Sequence, residues 1–443
     1  MKNSNKFFIG LNLSHNSSLS VHDSHGNVLF AAEEERYNRH KNSTSFPISV
    51  LKDAIKNGFV DPKSAVVDQV VIGSNLKPNS TDIRYWMNVF YPSLWDVNFW
   101  KVNPFLISPG RYPEYYEFAK KYKNSENFLR DHISKIFNEL GIECLGLSFV
   151  CHHDSHSASG LFSSGYGEAV ALSLDGTGDD ESGVIQFYRN DKYQNQLVDY
   201  KRIPNTHSLG LVYSEVTKRY GFKEHLHEGK ITGLAALGSY SEAVEYLFNC
   251  IKIVNGKPEL QFSRNRFSHI LNRILFKAKL NRTKTPNSIS QMIEIAVSQT
   301  HNYADLAYAI QNVIEDRILE MVLNAVEYSG IRNLTLAGGV FSNVKINQKL
   351  AEHETINKVF IFPNMGDGGL SVGGVYNYLF RNDSLKLASP TENVYWGANP
   401  SHPSYNFEKK VEAINLESEM IYKELAKLLA DGSIVGVCIG ELE

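Results

Sequence analysis

The sequence predicts an α/β protein built from two similar halves. Short apolar runs bounded by turns recur along the chain, stretches of helical period separate them, and in both halves such runs end in glycine-rich turns. At 443 residues the chain is too long for one ordinary core, so two or three lobes are expected.

The elements follow in order. Phe7–Leu11, Leu19–Val21 and Val28–Ala31 read as a three-strand meander, with a turn at Ser24–Asn27 between the last two. Ile48–Asn57 has helical spacing with Pro47 near its first turn, and Val66–Ile72 is a further strand. Aromatic residues crowd positions 80–122, an expected helical insertion. Leu145–Val150 reads as a strand, His152–Phe162 as a helix, and Ala169–Leu174 and Gly183–Tyr188 as strands. Leu209–Tyr220 is expected to be helical, positions 255–285 to be a basic second insertion, and Ser288–Tyr328 to be one long helical stretch. Leu334–Ala337 and Val359–Phe362 are strands that run into glycine turns. There is no short tandem repeat and no low-complexity segment.

Composition narrows the function. Hydrophobic residues make up 42% and charged residues 21%, ordinary for a globular chain. A formal charge of −3 offers no basic field for nucleic acid. The four cysteines, Cys144, Cys151, Cys250 and Cys438, form no CxxC pair, which argues against a thiolate zinc site and fits a reducing compartment. The N-terminus has no signal-peptide pattern, and no run approaches the roughly 20 apolar residues of a membrane helix. A cytoplasmic protein is expected, with a homodimer as the default state.

Four motifs carry chemistry. In His152-His153-Asp154-Ser155-His156, positions i and i+4 share a helix face, so His152 and His156 can aim two imidazoles at one ion while His153 faces elsewhere. Asp175-Gly176-Thr177-Gly178 and Gly338-Gly339, the latter followed by Ser342 and Asn343, close strands with glycines that let backbone N–H groups approach phosphate. Asp367, in Asn364-Met365-Gly366-Asp367-Gly368-Gly369, is either a helix cap or the oxygen ligand that joins the two imidazoles. His15 stands in Ser14-His15-Asn16-Ser17-Ser18, in the first hairpin.

In this order the motifs resemble the carbamoyltransferase family of nodulation-factor, cephamycin and aminoglycoside biosynthesis. The matching segments are GLN at 10–12, HNSS at 15–18, EEERYNRHK at 33–41, FP at 46–47, HHDSHSAS at 152–159 and DGTG at 175–178. SLGLVYSEVTKRYGF at 208–222, EGKITGLAALG at 228–238, NLTLAGGVFSN at 333–343 and FPNMGDGGLSVGG at 362–374 complete the set. The resemblance implies an actin-like (duplicated, ribonuclease H-like) transfer domain over 1–385, with insertions at about 80–125 and 255–285. The opening portion of a YrdC-like synthase domain would follow over 393–443, with a helix at Glu419–Leu429 and a strand at Ile434–Val437.

The family moves a carbamoyl group from carbamoyl-adenylate to an acceptor hydroxyl. By resemblance, His152, His156 and Asp367 would hold a divalent ion, iron by expectation with zinc or manganese as alternatives. Lys41, Gly176, Gly178, Lys230, Gly338, Gly339 and Asn343 would surround the carbamoyl-adenylate, and His15 and Asp175 are the candidate bases. The partners implied are a small hydroxylated acceptor, with carbamoyl phosphate and ATP entering by way of the C-terminal synthase portion. Asn16 departs from the family's His-Asp pair, since an amide cannot act as a base. The alternatives are a non-catalytic subunit of such an enzyme, or another actin-like enzyme such as a sugar kinase or a threonylcarbamoyl transferase.

Overall fold

The computed structural model describes residues 6–63, 66–73, 125–190, 195–262, 286–382, 384–385, 390–391, 393–398, 418–437 and 441. The aromatic segment 80–122 and positions 263–285 of the basic segment lie outside these residues.

The first sheet begins with the antiparallel meander β1 (Lys6–Asn12), β2 (Ser18–His22) and β3 (Val28–Glu33). β4 (Val66–Ile72) lies parallel to β1, and β5 (Glu143–Cys144) and β6 (Leu147–Phe149) lie parallel to β4. The second sheet repeats the plan. Its meander is β7 (Glu168–Gly178), β8 (Glu181–Asn190) and β9 (Asn195–Pro204). A small hairpin, β10 (Ile251–Val254) with β11 (Lys257–Leu260), stands apart. β12 (Asn333–Ala337) then pairs parallel to β7, and β13 (Lys358–Ile361) parallel to β12. Both sheets therefore run meander third strand, second, first, then the two parallel strands.

Side-chain alternation explains the layers. Ile9 and Leu11 point to one side of the first sheet, into a core with helices α1 (Ile48–Lys56) and α2 (Ser125–Glu139). Phe8 and Val71 point to the other side, into a core shared with Ala169, Ala171 and Ala337 of the second sheet. Two helices fill that shared layer: α3 (His152–Ser164) and α10 (Leu370–Arg381). The outer face of the second sheet, with Val170, Leu172 and Leu174, is covered by helices including α4 (Leu209–Arg219), α5 (Glu228–Ala235), α6 (Glu242–Cys250), α7 (Ile289–Val297) and α8 (Asp305–Ser329). α9 (Val344–Ala351) links β12 to β13, and α11 (Ser418–Ala430) lies near the C-terminus.

The central layer is thin because its residues are small. α3 carries five serines, alanines or glycines from Ser155 to Gly160, interrupted only by His156. Gly373 of α10 lies where a Cβ would overlap the Ser155 carbonyl, and Gly10 where one would overlap the Ser371 carbonyl. The two helices are thus pressed against each other, with α10 against the first sheet and α3 against the second.

Three sequence expectations change. The stretch 288–328 is two helices, and the Asp305 carboxylate ties down the loop between them by accepting the N–H groups of Ser239, His301 and Asn302 (3.0 Å each). The basic segment opens with the β10–β11 hairpin, turned at Asn255 (φ 52°) and Gly256 (φ 77°), an Asn-Gly signal visible in the sequence. Ile434–Val437 is not a strand: among the described residues it has no ladder partner, and Ile434 is fully exposed. An apolar run becomes a strand only where an edge is there to receive it. The C-terminal helix does form, over Ser418–Ala430. Among the described residues no helix is long and apolar enough to cross a membrane.

Candidate active site

The site lies at one end of the central layer, where loops of both halves meet. α3 starts at His152 and is buried along its whole length. The β7–β8 turn, with Asp179 and Asp180 in the left-handed region (φ 54° and 67°), brings the Asp179 carboxylate to the His152 N–H (2.8 Å). This fills one of the open donors of the helix's first turn. Gly178 beside it leaves room for the His152 ring, which a Cβ would overlap. His153 points away, as expected, and bonds Ser173 Oγ (2.8 Å).

One helical turn apart, His152 and His156 face two carboxylates delivered by different strands. His156 Nε2 lies 3.4 Å from Asp175 Oδ2 and 3.5 Å from Asp367 Oδ1. His152 Nε2 lies 3.7 Å and 3.8 Å from the same two atoms. One ligand atom from each of the four residues falls within 4.8 Å of all the others. The sequence reading had grouped His152, His156 and Asp367; the structure brings Asp175 to the same cluster.

The cluster fits a metal ion on its own chemistry. Among the described residues, His152 Nε2, His156 Nε2 and Asp367 Oδ1 are buried with no hydrogen-bond partner, and such orphan groups are costly unless something binds them. Four ligands about 2.1 Å from one tetrahedral ion stand roughly 3.4 Å apart, close to the spacings found here. Electrostatics agree. Burial disfavours the His156 cation, but Asp175 and Asp367 outweigh it and push its pKa up to about 9. Burial likewise opposes the Asp175 carboxylate, yet the His152 and His156 imidazoles hold it well below the ordinary 3.8. Two acids and two imidazoles so arranged share protons that a cation can replace.

The other predicted residues divide. His15 belongs to the site: Nε2 is 3.3 Å from Asp367 Oδ2, Nδ1 is 2.9 Å from Asn16 Oδ1, and the side chain is 55% exposed. Burial lowers its pKa, but Asp367 and Asn16 prevail and raise it above 6.5. A cavity of about 320 Å³ opens above the cluster, lined by His15, Asp175, Gly176, Gly339, Asn343 and Asp367 among others. Gly338, at φ 96°, cannot carry a Cβ without striking the Leu174 carbonyl; it shapes the turn and leaves the lining to Gly339. Lys41 is exposed and absent from that lining. Lys230 is also exposed and lies over the Phe222 ring (4.9 Å), because α5 turns Glu228, Gly229 and Thr232 toward the cavity instead.

Several site residues had no signal of their own in the sequence. Ser14 donates to Asp367 Oδ2 (2.6 Å) and tethers the first hairpin to the opposite half. Behind the cavity wall, Gln311 accepts from Tyr213 (2.7 Å) and donates to Asn343 (3.1 Å), while Tyr213 also pairs with Thr232 (2.9 Å). Gln311 sits mid-helix in α8, where nothing in its neighbours marks it.

The chain is similar to several known proteins. A 26% identical protein of Synechocystis, itself uncharacterized, aligns over 98% of this chain and 68% of its own length. The nodulation protein NolNO of Sinorhizobium fredii is 27% identical over 67% of this chain, which spans 41% of that relative. NolO of Bradyrhizobium diazoefficiens is 25% identical over 66% of this chain and 50% of its own length. Among solved structures, full-length HypF in a phosphate- and nucleotide-bound form is 13% identical over 87% of this chain and 57% of its own, with a TM-score of 0.45. The family profile described as carbamoyltransferase N-terminus matches residues 8–375, and this chain belongs to that family.

Proposed function

We propose that the chain is the acceptor-transfer part of an O-carbamoyltransferase, moving a carbamoyl group from carbamoyl-adenylate to a hydroxyl of a small acceptor. The observation that carries this is the cluster of His152, His156, Asp175 and Asp367 with unpartnered buried ligand atoms at the floor of a nucleotide-sized cavity. The repeated strand order of the two sheets supports an actin-like reading of the domain.

In this reading the four residues hold one divalent ion, iron first and zinc or manganese as alternatives. Such an ion supplies Lewis-acid polarisation of the carbamoyl carbonyl. The glycine turns at Gly176 and Gly339 let the adenylate lie against backbone, and Asn343 and Tyr213 of the cavity lining offer polar groups to its nucleoside. The acceptor oxygen attacks the carbamoyl carbon, the bond to the phosphate oxygen breaks, and AMP departs. Of the two candidate bases, His15 fits the acceptor proton better. Its ring lines the cavity and is half-exposed, whereas Asp175 is committed to the imidazoles and is a weak base so long as they hold its pKa down. Carbamoyl phosphate and ATP would reach this site only through a synthase portion.

Metal analysis of the purified chain tests the reading. Wild type is expected to bind about one ion per chain, and His152→Ala/His156→Ala to bind none. No metal after anaerobic loading with iron would overturn the catalytic reading. Transfer from supplied carbamoyl-adenylate, lost in the same double variant, completes the test.

A further inference from the structure

A second cavity of about 200 Å³ lies on the other side of the Pro363–Gly369 turn. It shares Asn364 and Gly368 with the first cavity, so the two are neighbours across one strand of backbone. Its polar side chains are Glu33, Arg36 and Asn364, with Ser18 and Ser371, whose hydroxyls already bond each other and the Gly368 carbonyl, and its flat wall is Trp396 beside Phe362. We infer that this second cavity is the acceptor subsite and that it selects a neutral ring polyol over charged versions of the same ring. This rests on the transfer reading of the first cavity.

Placement comes first. Glu33 ends β3, is only 8% exposed, and accepts a hydrogen bond from Asn364 Nδ2 (2.8 Å). The carboxylate and the amide thus stand together at the turn that leads, three residues on, to Asp367. A ligand held by Glu33 and Asn364 therefore lies beside the first cavity, not remote from it. Trp396 is fixed as a wall: its carbonyl accepts the Ala31 N–H (3.0 Å), adding a bond to the edge of β3, and its ring lies 6.3 Å from Phe362.

Chemistry then selects the occupant. Arg36 at the same cavity disfavours a cation, and Glu33 disfavours an anion. Burial raises the Glu33 pKa, so the group is short of compensating charge and gains from donated hydrogen bonds. A neutral ring with adjacent hydroxyls meets all of these demands. Hydroxyl protons donate to Glu33, hydroxyl oxygens accept from Arg36 and Asn364, and the C–H face of the ring lies on Trp396.

The test is ligand-observed NMR on the full chain with glucose, glucosamine and glucuronate as neutral, cationic and anionic probes. Glucose is expected to bind best, in the millimolar range, with loss of about tenfold in Trp396→Ala and less in Trp396→Phe. Arg36→Ala is expected to raise glucosamine binding relative to glucose, and Glu33→Gln to raise glucuronate binding. These gains cannot come from a misfolded variant. Preference for either charged ring in the wild type, no ring binding at all, or indifference to Glu33 and Arg36 would overturn the inference. AMP titrated separately against the wild-type chain reads the first cavity: AMP without sugar sinks the acceptor subsite alone, and sugar without AMP sinks the transfer reading.

Discussion

His156 sits at the convergence of two carboxylates, and its chemistry can be read from that position alone. With its folded pKa raised from 6.5 to about 9, the imidazolium stabilises the ion-free fold below pH 6.5. That contribution is lost as pH rises through about 9. A bound metal needs the neutral ring, so the ion must displace the proton. Metal affinity is therefore expected to rise with pH, by up to about tenfold per unit, over the window in which the ion-free fold weakens. Calorimetry in buffers of different ionisation enthalpy would detect the released proton. A pH-independent affinity between 6.5 and 9 would remove His156 from the ligand set.

Elements position these residues, and two contacts decide how well. Asp154, buried on α3 between the two histidines, accepts from Arg202 of β9 (2.6 Å) and from Arg381 at the end of α10 (2.9 Å). Breaking a fully buried pair costs roughly 3–5 kcal/mol. Here both arginines keep solvent, at 30% and 60% exposure, so Asp154→Asn is expected to cost less, about 2 kcal/mol. Urea unfolding measures the cost, and metal affinity should fall with it, because α3 then loses its ties to β9 and α10. At the crossing of α3 and α10, Gly373→Ala would drive a Cβ into the Ser155 carbonyl, a backbone atom that cannot swing aside. A loss of about 3 kcal/mol is expected, the upper end of overpacking, together with weakened metal binding as Asp367 moves away from His156. Unchanged stability in this variant would mean that the two helices are less tightly joined than their backbones imply.

At the scale of the whole molecule, the site exists only where the halves meet. Ser14 and His15 come from the first half and Asp367 from the turn after β13, while Asp175 lies in β7, the first strand of the second meander. A nucleotide in the first cavity touches residues of both halves and should stabilise them as one unit. At a concentration 100 times its Kd, AMP is expected to add about 2.7 kcal/mol to unfolding, in a single transition. Two separated transitions, with only one shifted by AMP, would show that the halves unfold independently and that the cavity belongs to one of them.

The strands, the His152/His156 face and the glycine turns were legible in the sequence because each depends on local period or on local backbone geometry. Strand order was not, since it depends on which edges meet. The failure of Ile434–Val437 to pair makes the same point from the other side, as does the break at Asp305, whose three accepted N–H groups come partly from Ser239 far along the chain. Local pattern determined two imidazoles on one face and an aspartate after each of two strands. Tertiary structure alone decided that Asp175 joins Asp367 in facing them, that Gln311 reaches Asn343, that Lys41 and Lys230 stay outside, and that Glu33 and Trp396 enclose a second cavity. The physical reason is range: helical period and turn preference act over a few residues, whereas a site is made by groups that only the packing of two sheets on one thin helical layer brings together.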